Sequence, residues 1–534
     1  MATATVQKTL GAFYTDERVA RTIVDWAVRN PSDCVLDPSC GEGVFLSAAS
    51  ERLVAIGSSA PEIWGIDIDV EAIRAAKAQT PSSNLVKADF FSVKPNDLSF
   101  FDAVVGNPPF IRYQSFNGTS RASALARARE AGVDLAQLSS SWAPFLVHAA
   151  CFLKKGGRLG MVVPVELGHA QYARQVLEFL LSKFGRIQVR IFREKLFPGL
   201  SEDTALLLCE EFENPCSWLS IAILKNIEEE EDERSIEHPV DIEAIRTGRI
   251  KLSHYLLSPL ARQLYENLAK EKHVFALGGV ANIGIGYVTG YNDFFHLSAE
   301  DCGRWRIPKS FLRPAILSMA GAAGAVIRQD DWRDAERGGK KCFLLSIPAT
   351  DEKMLPRSLL DYLKHGRALG VPERFKCRVR EVWYSVPHVR VADAFLSYMS
   401  GEAPRLVGNS ARLVAPNTLH LVKFDKPRAA GSFISGWYSS LTKLSCELEG
   451  HALGGGMLKL EPSEAGEVLV ALPHPSETKR LAEEVDALVR RNGEEAAAEL
   501  IDRHVLRRRL GLSAAECLAL RDAAGEMHRW RMHR

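Results

Sequence analysis

The sequence predicts an α/β protein whose first 220 residues build a doubly wound, mostly parallel sheet with helices on both faces. Two observations predict it: short β-branched runs alternate with helical stretches, and an acid or an asparagine recurs where those runs end. Cys34–Asp37 reads as the first strand, followed by helix Val44–Ile56. Glu62–Asp67 is the second strand and Val70–Ala78 its helix, with Leu85–Asp89 and Phe101–Gly106 as the third and fourth strands. Helix Trp142–Leu153, a turn at Lys155–Gly157 and strand Arg158–Val163 continue the rhythm. In such a sheet ligands sit beyond the carboxyl ends of the strands, and Asp37, Asp67, Asp89 and Asn107 all fall there.

Composition sets the outer bounds. A chain of 534 residues exceeds one ordinary domain, and 46% apolar with 25% charged residues suits a globular protein with real cores. No stretch is long and apolar enough for a membrane span, and the first residues carry no secretory signal pattern. A cytoplasmic location is therefore expected. The ten cysteines are scattered without a Cys-x-x-Cys pair, so no metal site is expected. The net charge of +1 is silent about nucleic acid, because binding needs a basic surface rather than a basic average. The acidic run Glu228–Glu233 reads as a solvated linker or turn.

The loop Asp37-Pro-Ser-Cys-Gly-Glu-Gly43 joins the first strand to its helix. Gly41 and Gly43 permit close backbone approach there, yet the dinucleotide and triphosphate glycine signatures are both missing. A positively charged, nucleotide-like ligand suits Asp37. Asp67 can accept from ribose hydroxyls, while Asp89 can take an adenine amine with Phe90 stacked on the ring. Asn107-Pro-Pro-Phe110 is the sharpest feature: two consecutive prolines fix φ and offer no N–H, leaving a stiff loop with the Pro108 carbonyl free to face a site.

Taken in order, Asp37–Gly43, Gly65-Ile-Asp-Ile-Asp69, Ala88-Asp-Phe-Phe91 and Gly106-Asn-Pro-Pro-Phe110 resemble the motifs of amino-group DNA methyltransferases. The match is to the adenine-N6 group typified by the TaqI and Eco57I modification enzymes. The resemblance implies a class I S-adenosylmethionine-dependent methyltransferase fold over residues 1–220. Thr15, Asp37, Pro38, Gly41, Gly43, Asp67, Asp89, Phe90 and Asn107 are then the cofactor contacts, with Thr15 near the methionine part. It also implies that Asn107, Pro108, Pro109 and Phe110 form the catalytic loop. In the family chemistry the Asn107 side-chain oxygen and the Pro108 carbonyl accept from the amine of an extruded adenine, on which Phe110 stacks. Lys195–Leu208 is similar to a late motif of the family and makes Phe197 the second stacking ring; Tyr113 is another aromatic near the loop. Asn-Pro-Pro-aromatic loops also serve cytosine N4, RNA bases and protein amides, so these stay open as alternatives.

The second half is expected to choose the substrate. Segment 221–274 reads as a helical connector, 275–470 as a mixed α/β target-recognition domain similar to the TaqI/Eco57I group, and 471–534 as a helical cap. Arg374, Lys376, Arg378 and Arg380 alternate; on a strand they share one face, able to meet phosphates or guanines, or simply solvent. Asn417, Thr418 and His420 stand either near DNA or in a turn, and the arginines of 507–509 and of the last residues either touch the backbone or aid solubility. With no nuclease pattern and no room for one before residue 11, the expected partners are double-stranded DNA and a separately acting cognate endonuclease. A monomer suits such an enzyme.

Overall fold

The computed structural model describes residues 15–111, 115–135, 139–168, 173–197, 204–228, 237–247, 251–453 and 455–532; Tyr113 and most of the acidic run Glu228–Glu233 lie outside them. The chain divides into two compact units, Met1–Leu256 and Leu257–His533.

The first unit is organised by one nine-stranded sheet. Its strands are β1 (Cys34–Asp37), β2 (Glu62–Asp67), β3 (Asn84–Lys87), β4 (Phe101–Gly106), β5 (Leu153–Pro164), β6 (Phe184–Phe192), β7 (Thr204–Phe212), β8 (Trp218–Leu224) and β9 (Glu237–Pro239), in the spatial order β3-β2-β1-β4-β5-β7-β6-β8-β9. The first five are mutually parallel, whereas β7 runs antiparallel to both β5 and β6. Every residue of β1 is buried, as a strand covered on both faces requires.

Helices α1 (Glu17–Ala27), α2 (Val44–Ala55), α3 (Val70–Gln79), α4 (Gly118–Glu130), α5 (Trp142–Ala150) and α6 (Ala173–Lys183) belong to this unit. Asp16 caps α1 through the Arg18 amide at 2.9 Å, and Val19, Ala20, Ile23, Val24 and Ala27 form its buried stripe. Asp69 caps α3 in the same way through Glu71. The sheet runs past the point where the α/β alternation fades in the sequence: β6 pairs antiparallel with β7 and parallel with β8, no helix separates β7 from β8, and β9 adds antiparallel to β8.

The second unit carries a five-stranded sheet in the order Ala281–Ile285, Leu419–Phe424, Ala394–Ser397, Leu406–Asn409, Val326–Ile327, with smaller sheets beside it. Its helical tail, 478–532, is not a separate cap. Leu481, Val485, Ile501, Val505 and Leu520 share one core with Leu396, Val422, Trp437 and Leu444. Arg531, expected at the surface, is only 4% exposed and grips Glu447 at 2.8 and 2.9 Å. His420 is fully buried with Nε2 at 2.7 Å from the Leu460 carbonyl, which makes it part of the packing and not of a DNA face.

Candidate active site

Four loops converge at the carboxyl ends of β1 to β4. After β1 the chain turns sharply, and Gly43 adopts φ +98° with its Cα side pressed on Ala76, where a Cβ would come within 3.0 Å of backbone. Only glycine fits that approach. Both oxygens of Asp67 are engaged by backbone: Oδ2 accepts from Gly41 and Oδ1 from Asp69, each at 2.8 Å. The acid at the end of β2 thereby fixes the loop after β1. Asp89 is linked to the same corner, since the Ala88 amide donates to the Asp67 carbonyl at 2.9 Å. Asp89 Oδ1 accepts from Phe91, capping a short 3₁₀ turn.

Asp37 lies deepest. It is 1% exposed; Oδ1 accepts from the Ser39 amide at 3.0 Å, and Oδ2 is buried without a partner. Burial, assisted by the charge of Asp67, pushes its carboxyl up to about 8 against the opposing Ser39 amide. A carboxyl that holds its proton to about pH 8 when folded, but loses it near ~4 when unfolded, removes stability as pH rises through that window. The melting temperature of the wild type is therefore expected to fall relative to Asp37→Asn between those two pH values. Parallel melting curves would show instead that Asp37 is ionised throughout.

Asn107 abuts this loop. Its carbonyl accepts from Ser39 Oγ at 3.3 Å, and Gly106 before it has no room for a Cβ, which would lie 2.9 Å from Asp37 Oδ1. Asn107 Nδ2 donates to Thr15 Oγ1 at 3.2 Å, leaving Asn107 Oδ1 buried and unpartnered. Thr15 thus orients the asparagine amide. Among the described residues no hydrogen bond to the Pro108 carbonyl occurs. Pro38 and Phe110 are buried beside these loops, and Phe197 is 7% exposed.

A residue unseen in the sequence fixes the far side of the loop. Ser141, fully buried before α5, donates its hydroxyl to the Pro109 carbonyl, accepts from the Ile111 amide at 2.8 Å and donates its own amide to the Ile111 carbonyl at 3.0 Å. These bonds bracket Phe110. A serine before a helix reads as an N-cap, but no cap bond from its side chain forms. Ile68, 56% exposed directly after Asp67, is a second such residue: it offers an apolar surface beside the loop after β2.

Two expectations are corrected. Phe90 is 5% exposed, its ring packed among Phe145, His148 and Phe152 at 4.6–5.2 Å, so core packing and not ligand stacking occupies it. Arg374 to Arg380 do not lie on a strand: Phe375–Arg378 is one helical turn. Arg380 points inward, donating to the carbonyls of Val288 and Thr289 at 2.5 and 2.9 Å, while Arg374 and Arg378 are exposed. Among the described residues no cluster suited to a metal ion occurs, and no helix is long and apolar enough to cross a membrane.

Residues 1–172 match the family model "N-6 DNA Methylase", and residues 249–506 match "Type II methyltransferase M.Eco57I, C-terminal domain". The type II methyltransferase M.AccI of Acinetobacter calcoaceticus is 20% identical over 86% of this chain and 84% of its own length. M.XamI of Xanthomonas campestris pv. amaranthicola is 22% identical over 85% and 84%. Among solved structures, the type IIL restriction–modification enzyme MmeI in complex with DNA shares the fold, with a TM-score of 0.55 at 11% identity over 96% of this chain and 75% of that one.

Proposed function

Since the chain belongs to the type II N6-adenine DNA methyltransferases of the M.Eco57I kind, we propose that its Asn107-Pro108 loop is the acceptor pair that activates the adenine amine. The protein is a site-specific, S-adenosylmethionine-dependent methyltransferase of double-stranded DNA, in the setting of type II restriction–modification. The observation that carries the residue assignment is the buried, unpartnered Asn107 Oδ1 beside the Asp37 loop.

The donor set fits the cofactor. Asp37, neutral to about pH 8 in the free protein, keeps an oxygen without a partner that a bound cation would draw into its ionised form, Asp67 and Asp89 retain acceptor capacity for hydroxyl and amine donors, and Ile68 suits one face of a purine. S-adenosylmethionine supplies a methyl on a sulfonium, an electrophile with a good leaving group. The protein's task is then to sharpen a poor nucleophile. Adenine N6 is conjugated with its ring; hydrogen bonds from its two N–H groups to Asn107 Oδ1 and the Pro108 carbonyl favour a pyramidal nitrogen with its lone pair exposed to the methyl. Positioning and local dipoles supply the acceleration. Phe110 and Phe197 stack the extruded base, and the second unit selects the site. A cognate endonuclease acts separately at the same sequence, and the methylase works as a cytoplasmic monomer.

Incubation with labelled S-adenosylmethionine and plasmid DNA, followed by nucleoside analysis, tests the reading. The label is expected in N6-methyladenine; label in cytosine, in ribosomal RNA or in protein overturns it. Phe197→Ala is expected to bind duplex but to lose most of the 2-aminopurine fluorescence rise that accompanies base extrusion. An undiminished rise removes Phe197 from the stack.

A further inference from the structure

The helical turn Phe375–Arg378 is built to present apolar surface and charge together. Phe375 and Val379, one turn apart, are 64% and 63% exposed, although large apolar side chains on one helical face ordinarily seek cover. Beneath them the turn is bolted down. Cys377 is fully buried with Sγ 3.6 Å from the Thr289 carbonyl, and Arg380 donates to Val288 and Thr289. Gly290, at φ +85°, lets the backbones meet: a Cβ there would lie 2.9 Å from Lys376 Cβ. The exposed pair therefore sits on a rigid base.

Around the pair stand Arg374, Lys376 and Arg378, all exposed and none in an ion pair among the described residues. Arg374 lies over the Tyr291 ring at 4.9 Å and Lys376 Nζ is 5.5 Å from the Phe375 ring. Glu373 and Glu381 flank the turn at its two ends, leaving the centre cationic. Unpaired cations ringing a projecting apolar pair complement a polyanion whose interior is apolar: phosphates outside, stacked bases and sugars within.

We propose that Phe375 and Val379 form an apolar wedge that presses into a groove of the substrate duplex, with Lys376 and Arg378 anchoring it on phosphates. This deepens the DNA-methyltransferase reading and rests on it. The test uses the full chain and a duplex bearing the site mapped by methylation-sensitive sequencing. Phe375→Ala/Val379→Ala is expected to weaken binding about tenfold with the salt dependence unchanged, since a wedge displaces no counterions. Lys376→Ala/Arg378→Ala is expected to reduce the slope of log affinity against log salt by about two. Melting temperatures report folding of each variant, and the conservative Phe375→Leu is expected to recover most of the affinity. A folded double alanine variant that binds this duplex as tightly as the wild type overturns the wedge. Failure of the wild type to methylate any DNA would instead overturn the underlying reading.

Discussion

Asn107→Ala is expected to lower single-turnover methyl transfer by about a hundredfold to a thousandfold, the range seen when one positioned dipole is removed from a reacting centre. S-adenosylmethionine should still bind within a few-fold of wild type. The split follows from the geometry. The Asn107 backbone carbonyl, which receives Ser39 Oγ, survives the substitution, so the loop after β1 keeps that brace. The Ser39 amide on Asp37 and the Gly41 amide on Asp67 hold the loop independently of the side chain. What disappears is Oδ1, a buried acceptor that no protein group uses, aimed by the bond from Nδ2 to Thr15. A buried acceptor left open costs stability in the free enzyme. Its persistence is understandable when the substrate amine completes it. Equilibrium binding of the cofactor measured beside rapid-quench transfer would separate the two effects. Near wild-type transfer would show that Asn107 is only a turn residue.

The strands that carry this site were legible because each is a short apolar run closed by a residue with a second job. Cys34–Asp37, Glu62–Asp67 and Phe101–Gly106 end where the acid or glycine does, and their structural limits coincide with that reading. Local pattern says less where a contact spans many residues. Phe90 carries the right chemistry for stacking, and nothing nearby in the chain reveals that Phe145, His148 and Phe152 will surround it. The burial that hides it also lowers the His148 imidazole to about 4, keeping that aromatic cluster uncharged. The alternating basic residues from Arg374 to Arg380 mimic a strand. Their path is decided by the anchoring of Cys377 and Arg380 to the loop at 288–289, a pairing about ninety residues distant in sequence. The burial of Arg531 is hidden for the same reason, its partner Glu447 lying 84 residues away in sequence.

Ser141 shows how such a remote contact can govern the chemistry. Two prolines stiffen residues 108 and 109, but stiffness alone does not choose a direction; the chain must also be held where it leaves the turn. The Ser141 hydroxyl does this by joining the Pro109 carbonyl to the Ile111 amide, and its backbone amide adds a bond to the Ile111 carbonyl. In Ser141→Ala the last bond remains while two part-buried groups lose their partner, a cost of up to about 1–3 kcal/mol each. A loop relaxed by a fraction of an ångström moves the Pro108 carbonyl and the Phe110 ring together. The expected result is a fall in kcat of about tenfold to a hundredfold, as misplacement near a reacting centre produces, with the affinity for S-adenosylmethionine unchanged. Ser141→Thr, which keeps the hydroxyl, should restore much of kcat, whereas a purely structural role would make both variants track the melting temperature. Assayed well below that temperature, a folded Ser141→Ala enzyme with wild-type kcat would mean that the prolines alone direct the loop.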